Sequence, residues 1–225
     1  GGKWMLNMLD VFPRLWQSTV IKPFGGYSTD PSMARQALAK AVLEDALKYD
    51  LVLWIDDDNI PTYEQIELML KTLDTYPEIS MVAGWCHCAI SGVSQQPDEM
   101  PTSCGMFSGE HAIRHFTPEE IVSAGGLMKV DWTGFPTVLM RGELLAQVGW
   151  KAFQYRFNPQ CGWGFWGEDV SFAKAVAEAG KVMVVDPRLK IPHMKTRDAN
   201  PPTKEPDVVT VKSSPGQERA ISTKE

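Results

Sequence analysis

The sequence predicts an α/β domain with a mostly parallel sheet and helices on both of its faces. Three observations carry this expectation. Strand-like and helix-like segments alternate along most of the chain, the order that lays parallel strands side by side under crossover helices. Leu51-Val52-Leu53-Trp54-Ile55 is an unbroken apolar run, the pattern of a strand buried on both faces. The acidic run Asp56-Asp57-Asp58 begins where that strand ends, at the carboxyl edge where the ligands of such sheets gather.

Taken in order, Trp4 to Trp16 reads as an amphipathic helix and Thr19 to Phe24 as a short strand before the Gly25-Gly26 turn. Asp30-Pro31 opens the next helix, because Asp caps and Pro suits the first helical position; Ala34, Leu38, Ala41 and their neighbours continue it with a period near 3.6. The apolar strand 51–55 follows. Thr62-Tyr63-Glu64-Gln65 has capping-box spacing and starts a helix reaching about Leu73. Ile79 to Trp85 is the next strand. Residues 87–116, rich in Gly, Ser, Pro and Met, read as a long irregular loop. A second capping box, Thr117-Pro118-Glu119-Glu120, opens a short helix that stops at Gly125-Gly126. Strands are expected at Leu127–Trp132 and Thr137–Met140, helices at Gly142–Val148 and Gly167–Gly180, and the last strands at Lys181–Val185 and Leu189–Ile191. The domain therefore spans residues 1–195. Residues 196–225 lose apolar content and read as an extended or disordered tail.

Composition narrows the function. The 225 residues are 44% hydrophobic, enough for a substantial core, and the formal net charge of −6 argues against general nucleic-acid binding, which needs clustered Lys and Arg. No apolar run approaches the ~18–20 residues that span a bilayer, so no membrane span is expected. With no leader apparent, the location reads as cytoplasmic. Cys86, Cys88, Cys104 and Cys161 are too few and too irregularly spaced for a disulfide framework. Cys86-His87-Cys88 departs from zinc-knuckle spacing and reads as small buried residues at a strand end.

The chemistry concentrates in two places. Three consecutive carboxylates at a strand end repel one another unless a positive charge compensates them, and magnesium or manganese prefers such oxygen ligands. The bland reading is a solvated acidic turn with Asn59-Ile60-Pro61. In Gly164-Phe165-Trp166-Gly167-Glu168-Asp169-Val170 two carboxylates fall on the first turn of a helix, where the macrodipole favours acids in any case. The glycines Gly162, Gly164 and Gly167 permit close approach to a ligand, and Trp163 and Trp166 offer flat faces on which a sugar ring stacks. A carboxylate held there suits a general base. His193, after the last strand, is by itself more often structural than a ligand.

The order of these motifs resembles the GT-A fold glycosyltransferases, a Rossmann-like architecture, and in particular their family 2-like members. Leu51–Asn59 looks like their strand plus DxD motif, and Gly167-Glu168-Asp169-Val170 resembles their xED motif. Val130-Asp131-Trp132-Thr133-Gly134-Phe135 with Val138–Arg141 is similar to their central acceptor-side strands. Asp186-Pro187 with His193 looks like their closing metal-histidine segment, and Met33-Ala34-Arg35-Gln36 is similar to an Ala-Arg-Asn segment that precedes the DxD strand, with Gln in place of Asn. Such domains begin with a strand and loop that bind the nucleobase, and Gly1-Gly2-Lys3 looks like the end of that loop, so the first strand is expected to be missing.

The resemblance implies a hexosyltransferase-like enzyme that uses Mn2+ or Mg2+ and a nucleoside-diphosphate sugar of the UDP or GDP type, with inversion at the transferred sugar. It implies that Asp56, Asp58 and His193 hold the metal. Arg35, Asp56, Asp57, Trp132, Gly134 and Trp166 would line the donor and acceptor, with Asp169 as base and Glu168 beside it orienting the acceptor or substituting as base. Two other readings compete. A haloacid-dehalogenase-type phosphohydrolase also carries Asp-x-Asp after an apolar strand, but it prefers Thr or Val where Ile60 stands, and it carries the motif on its first strand. A catalytically inert carbohydrate- or nucleotide-binding module fits the absent first strand, against the intact acidic motifs.

Overall fold

A computed structural model describes residues 11–15, 22–25, 30–88, 100–161 and 164–193. It is a mixed α/β structure. Helix α1 (Pro31–Glu44) starts where Asp30 accepts from the backbone N–H groups of Ser32 and Met33. Strand β1 (Leu51–Ile55) follows, then α2 (Tyr63–Thr75), whose capping box is formed by Thr62 and Gln65, and β2 (Ile79–Trp85). Next come β3 (Cys104–Phe107), β4 (Ile113–His115), α3 (Pro118–Ser123), β5 (Met128–Val130), β6 (Trp132–Thr133) and β7 (Thr137–Arg141). The chain continues through α4 (Gly142–Val148), a 3-10 turn at Trp150–Phe153, β8 (Arg156–Phe157), β9 (Phe165–Trp166), α5 (Glu168–Glu178) and β10 (Val182–Lys190).

The main sheet has the order β1-β7-β2-β10-β5, and it corrects the expectation of a mostly parallel sheet. Among the described residues only β2 and β10 pair in parallel; β1–β7, β2–β7 and β5–β10 are antiparallel. Parallel neighbours need a crossover of helical length. The chain instead leaves β2 for β3 and β4 of a small sheet, β4-β3-β6, adds β5 to the far edge of the main sheet, crosses back to the small sheet at β6, and re-enters the main sheet after residues 134–136. It has to run back down from the carboxyl end of β2, so β7 enters antiparallel between β1 and β2. The strands β1, β2 and β10 still point the same way, and their carboxyl ends share one edge.

Helices cover both faces, as expected, and the alternation of side chains along the strands shows how. Met81, Ala83, Val138, Met140, Met183 and Val185 join one core with Ala39 of α1, Leu144 of α4 and Phe172 of α5. Their neighbours Val82, Leu139 and Val184 face the opposite way and pack on Met69 and Leu73 of α2. Phe153 and Phe172, both fully buried, stack at 4.4 Å with planes 14° apart and tie the 3-10 turn to α5. Among the described residues no helix is long and apolar enough to cross a membrane.

Several elements differ from expectation. Strand β1 is the outermost described strand and is mostly half-buried rather than buried on both faces; the central, fully buried strand is β2. The stretch read as one irregular loop contains β3 and β4, while residues 89–99 lie outside the described residues. Leu127–Trp132 divides at Asp131, sending β5 to one sheet and β6 to the other. The two final strands are one, with an irregular register against β2. Residues 22–25 carry no regular structure, and the rest of the expected strand at 19–24 lies outside the described residues, as do the tail and most of the first helix.

Candidate functional site

The candidate site forms at the shared carboxyl edge of β1, β2 and β10. Beyond Ile55 the chain turns at once: Asn59 N–H donates to Asp56 O at 3.1 Å, closing a turn over the acidic run. Ile60 N–H donates to Pro192 O at 3.2 Å, and Asn59 forms an isolated antiparallel bridge with His193. That segment is itself fixed to β2, because Ile191 N–H donates to Trp85 O at 2.8 Å. The turn after β1 and the exit from β10 are thereby locked together. Asp58 is buried at this junction; its Oδ1 accepts from Asn59 Nδ2 at 3.0 Å and its Oδ2 lies 3.2 Å from His193 Nε2. Asp57 points out and is exposed.

Asp56 faces the other way. Arg35 of α1 donates from Nη2 to Asp56 Oδ2 at 2.8 Å and from Nη1 to Glu168 Oε1. Its guanidinium lies 4.7 Å from the centre of the Phe135 ring. Only 10% of the Arg35 side chain and 13% of that of Glu168 reach solvent, so this is a mostly buried ion pair joining the two acidic motifs. Burial pushes the Glu168 carboxyl above its ordinary pKa, and the adjacent Asp169 charge adds to the rise, while Arg35 opposes it.

Asp169 follows on the first turn of α5. Its Oδ1 accepts from the Val170 N–H at 2.7 Å, and its Oδ2 stands 3.6 Å from where a Cβ on Gly134 would lie. Gly134 in turn abuts Ser103, whose hydroxyl accepts from Cys86 N–H at 3.1 Å. A continuous floor therefore runs from Asp169 through Gly134 and Ser103 to Cys86, at the end of β2.

Two thiols occupy that floor, and sequence reasoning gave them no role. Cys86, buried as expected, is hydrogen-bonded to Cys88, which together with the nearby His193 imidazole pulls its pKa down against the effect of burial. The same bond, burial and the charge of Asp169 push Cys88 far up. The signal was present in the spacing, since residues two apart on an extended segment share a face, but nothing in the sequence indicated what that face met.

The remaining candidates are placed differently from a simple lining. Trp132 is 3% exposed, with its ring edge-on to His115 at 4.7 Å, and Trp166 is 7% exposed under the Lys174 ammonium at 5.2 Å. Both indoles are packed within the protein. The exposed aromatic beside Trp166 is Phe165. Among the described residues, no three of His, Cys, Asp and Glu converge as a ready-made cation cage; Asp58 and His193 meet, and Asp56 is engaged by Arg35. A cleft of about 980 Å³ lies elsewhere, at the opposite end of β1, between Asp50, Leu51, Glu67, Asp74 and Arg141. It is remote from these motifs, at the amino end of β1.

No known protein family matches the chain, and no curated protein does. Among solved structures the chain is similar to A197 from STIV, at 14% identity and a TM-score of 0.46, over 84% of this chain and 86% of that one. That likeness is too distant to bear on function.

Proposed function

We propose that this chain is a metal-dependent glycosyltransferase of the GT-A type, moving a sugar from a nucleoside diphosphate of the UDP or GDP type to an acceptor hydroxyl with inversion. The observation that supports it most is the meeting of Asp58 and His193 at 3.2 Å, at the carboxyl end of β1. They belong to the DxD-like and the closing metal-histidine-like segments of the motif order that resembles such enzymes. Arg35 joins Asp56 of the DxD-like run to Glu168 of the xED-like one.

The donor set suits Mn2+ or Mg2+. A carboxylate oxygen from Asp58 and an imidazole nitrogen from His193 are ligands for hard to borderline divalent ions. Asp58 and His193 would hold the ion, while Asp56, expected from the sequence as a third ligand, is taken by Arg35. Bound there, it supplies Lewis-acid stabilisation of the charge that develops on the departing diphosphate.

The protein groups do the rest. Asp169 takes the proton of the acceptor hydroxyl as that oxygen bonds to the anomeric carbon. The bond from that carbon to the phosphate oxygen breaks, and the nucleoside diphosphate leaves with the electron pair, through an oxocarbenium-like state. Arg35 holds Glu168 in a fixed orientation beside the base, so the acceptor meets a preset surface. Gly134, with no side chain, leaves room next to Asp169.

Calorimetry with UDP and GDP, with and without Mn2+, tests the reading. Wild-type protein is expected to bind one of them only with the metal, and Asp58→Ala to lose that binding. Failure of both nucleotides to bind with metal present would end the proposal, and turnover of simple phosphate esters would favour a phosphohydrolase.

A further inference from the structure

The hairpin of β8 and β9 sorts its side chains cleanly. Arg156 and Trp166, directly opposite in the register, turn toward α5: Arg156 pairs with Glu178 at 2.7 Å, and Trp166 is buried. Phe157 and Phe165, the next cross-strand pair, turn the other way and are 71% and 51% exposed, edge to face at 5.9 Å. Tyr155, two residues before Phe157 and 46% exposed, belongs to the same face. Its hydroxyl donates to Asp30, the cap of α1, at 3.1 Å, and it lies within reach of the Glu168 charge.

Tyr155 touches the cap of α1, the helix that carries Arg35, and the chain runs on from Phe165 into Gly167-Glu168-Asp169. Asp169 lies four positions beyond Phe165, at most about 14 Å of chain. We propose that Tyr155, Phe157 and Phe165 form the acceptor platform of the enzyme, and that the acceptor they carry is a neutral glycan chain. The inference rests on the glycosyltransferase reading and adds the acceptor class to it.

The chemistry of these rings selects this occupant. The C–H faces of a pyranose pack flat against an aromatic ring while its hydroxyls stay hydrated at the rim, so exposed rings on one face, two of them 5.9 Å apart, suit an oligosaccharide. A protein partner needs about 800 Å² a side for a stable contact, whereas three rings at these exposures present roughly 350 Å². Among the described residues, Arg156 is paired with Glu178 and the charge that Tyr155 touches is the acidic Asp30, which disfavours an anionic membrane or an acidic glycan.

An array of neutral oligosaccharides, with the best binder then measured by calorimetry, tests the proposal on wild-type protein and on the Phe157→Ala/Phe165→Ala double variant. Both positions are exposed, so the double variant should fold. We expect at least tenfold weaker glycan binding in the double variant, unchanged Mn2+-dependent nucleotide binding, and glycan binding retained by Phe165→Tyr, which keeps the ring. No binder on the array, or a binder unaffected by the double variant, overturns the platform while leaving the donor side standing. A dimer in sedimentation or adhesion to phosphatidylcholine vesicles that the double variant abolishes, without glycan binding, overturns it in favour of those occupants. Glycan binding by a wild-type protein that binds no nucleotide overturns the acceptor role and the transferase reading together.

Discussion

Gly167 leaves the space that the Asp169 carboxylate occupies: a Cβ placed on Gly167 would sit 2.7 Å from Asp169 Oδ1. That oxygen also accepts from the Val170 N–H at 2.7 Å, a bond that a displaced carboxylate would lose. The glycine at the head of α5 is thus a steric condition for the geometry of the proposed base.

Gly167→Ala is therefore expected to displace the carboxylate and lower sugar transfer by roughly 100-fold, the usual effect of a misplacement near 1 Å. Gly126→Ala is the control, since its methyl would meet nothing within 4 Å. Steady-state transfer rates compare the two. Equal rates in the two variants would refute the steric argument.

Asp169→Asn keeps the shape of the side chain and removes its basicity. Nucleotide binding should stay within about twofold of wild type, while turnover falls by roughly 10²–10⁴, the usual contribution of a general base. Normal turnover would move the base elsewhere, with Glu168 next in line.

Arg35→Met should cost roughly 3 kcal/mol of stability, because it strands Glu168 in a buried position. The share from Asp56 is smaller, since 38% of that side chain is exposed and solvent screens it. Urea denaturation measures this directly, and a loss under about 0.5 kcal/mol would mean that the pair is ornamental to folding.

The Glu168 carboxyl gives a pH signature. Its folded pKa is raised above the ordinary value of 4.5, so the folded state holds that proton more tightly than the unfolded chain. Its contribution to stability is then fully present below about pH 4.5 and is lost as pH climbs through the raised folded value. Glu168→Gln cannot ionise, so the stability difference should tilt toward the variant between pH 4.5 and neutrality. Denaturation curves across that range decide it. A tilt toward wild type would show that Arg35 outweighs burial.

Phe172→Ala should destabilise the fold by about 3–5 kcal/mol, the range for a buried aromatic cut back to a methyl. It removes the stack on Phe153 and the edge contact with Phe135, whose ring underlies Arg35. Thermal melts and nucleotide calorimetry on the same sample should show both effects together.

What the sequence determined by itself was local. Asp30-Pro31, Thr62–Gln65 and Thr117–Glu120 announced their helices, because a cap is a contact between residues three apart and needs no other part of the chain. The run 51–55 with its acidic end was legible for the same reason. Strand direction was not, because it depends on where the chain re-enters the sheet; the route through β3, β4 and β6 set β7 antiparallel. The short hairpin β8–β9 was equally hidden, since two-residue strands carry no period to read.

The site divided along the same line. The sequence supplied the carboxylates and the histidine as types at positions, while only the tertiary structure decided that Asp58 faces His193, that Arg35 takes Asp56 and Glu168, and that Trp132 and Trp166 are packed inside while Phe165 is not. Each of these contacts joins segments distant in sequence, and their energies depend on burial, which no short window of residues contains.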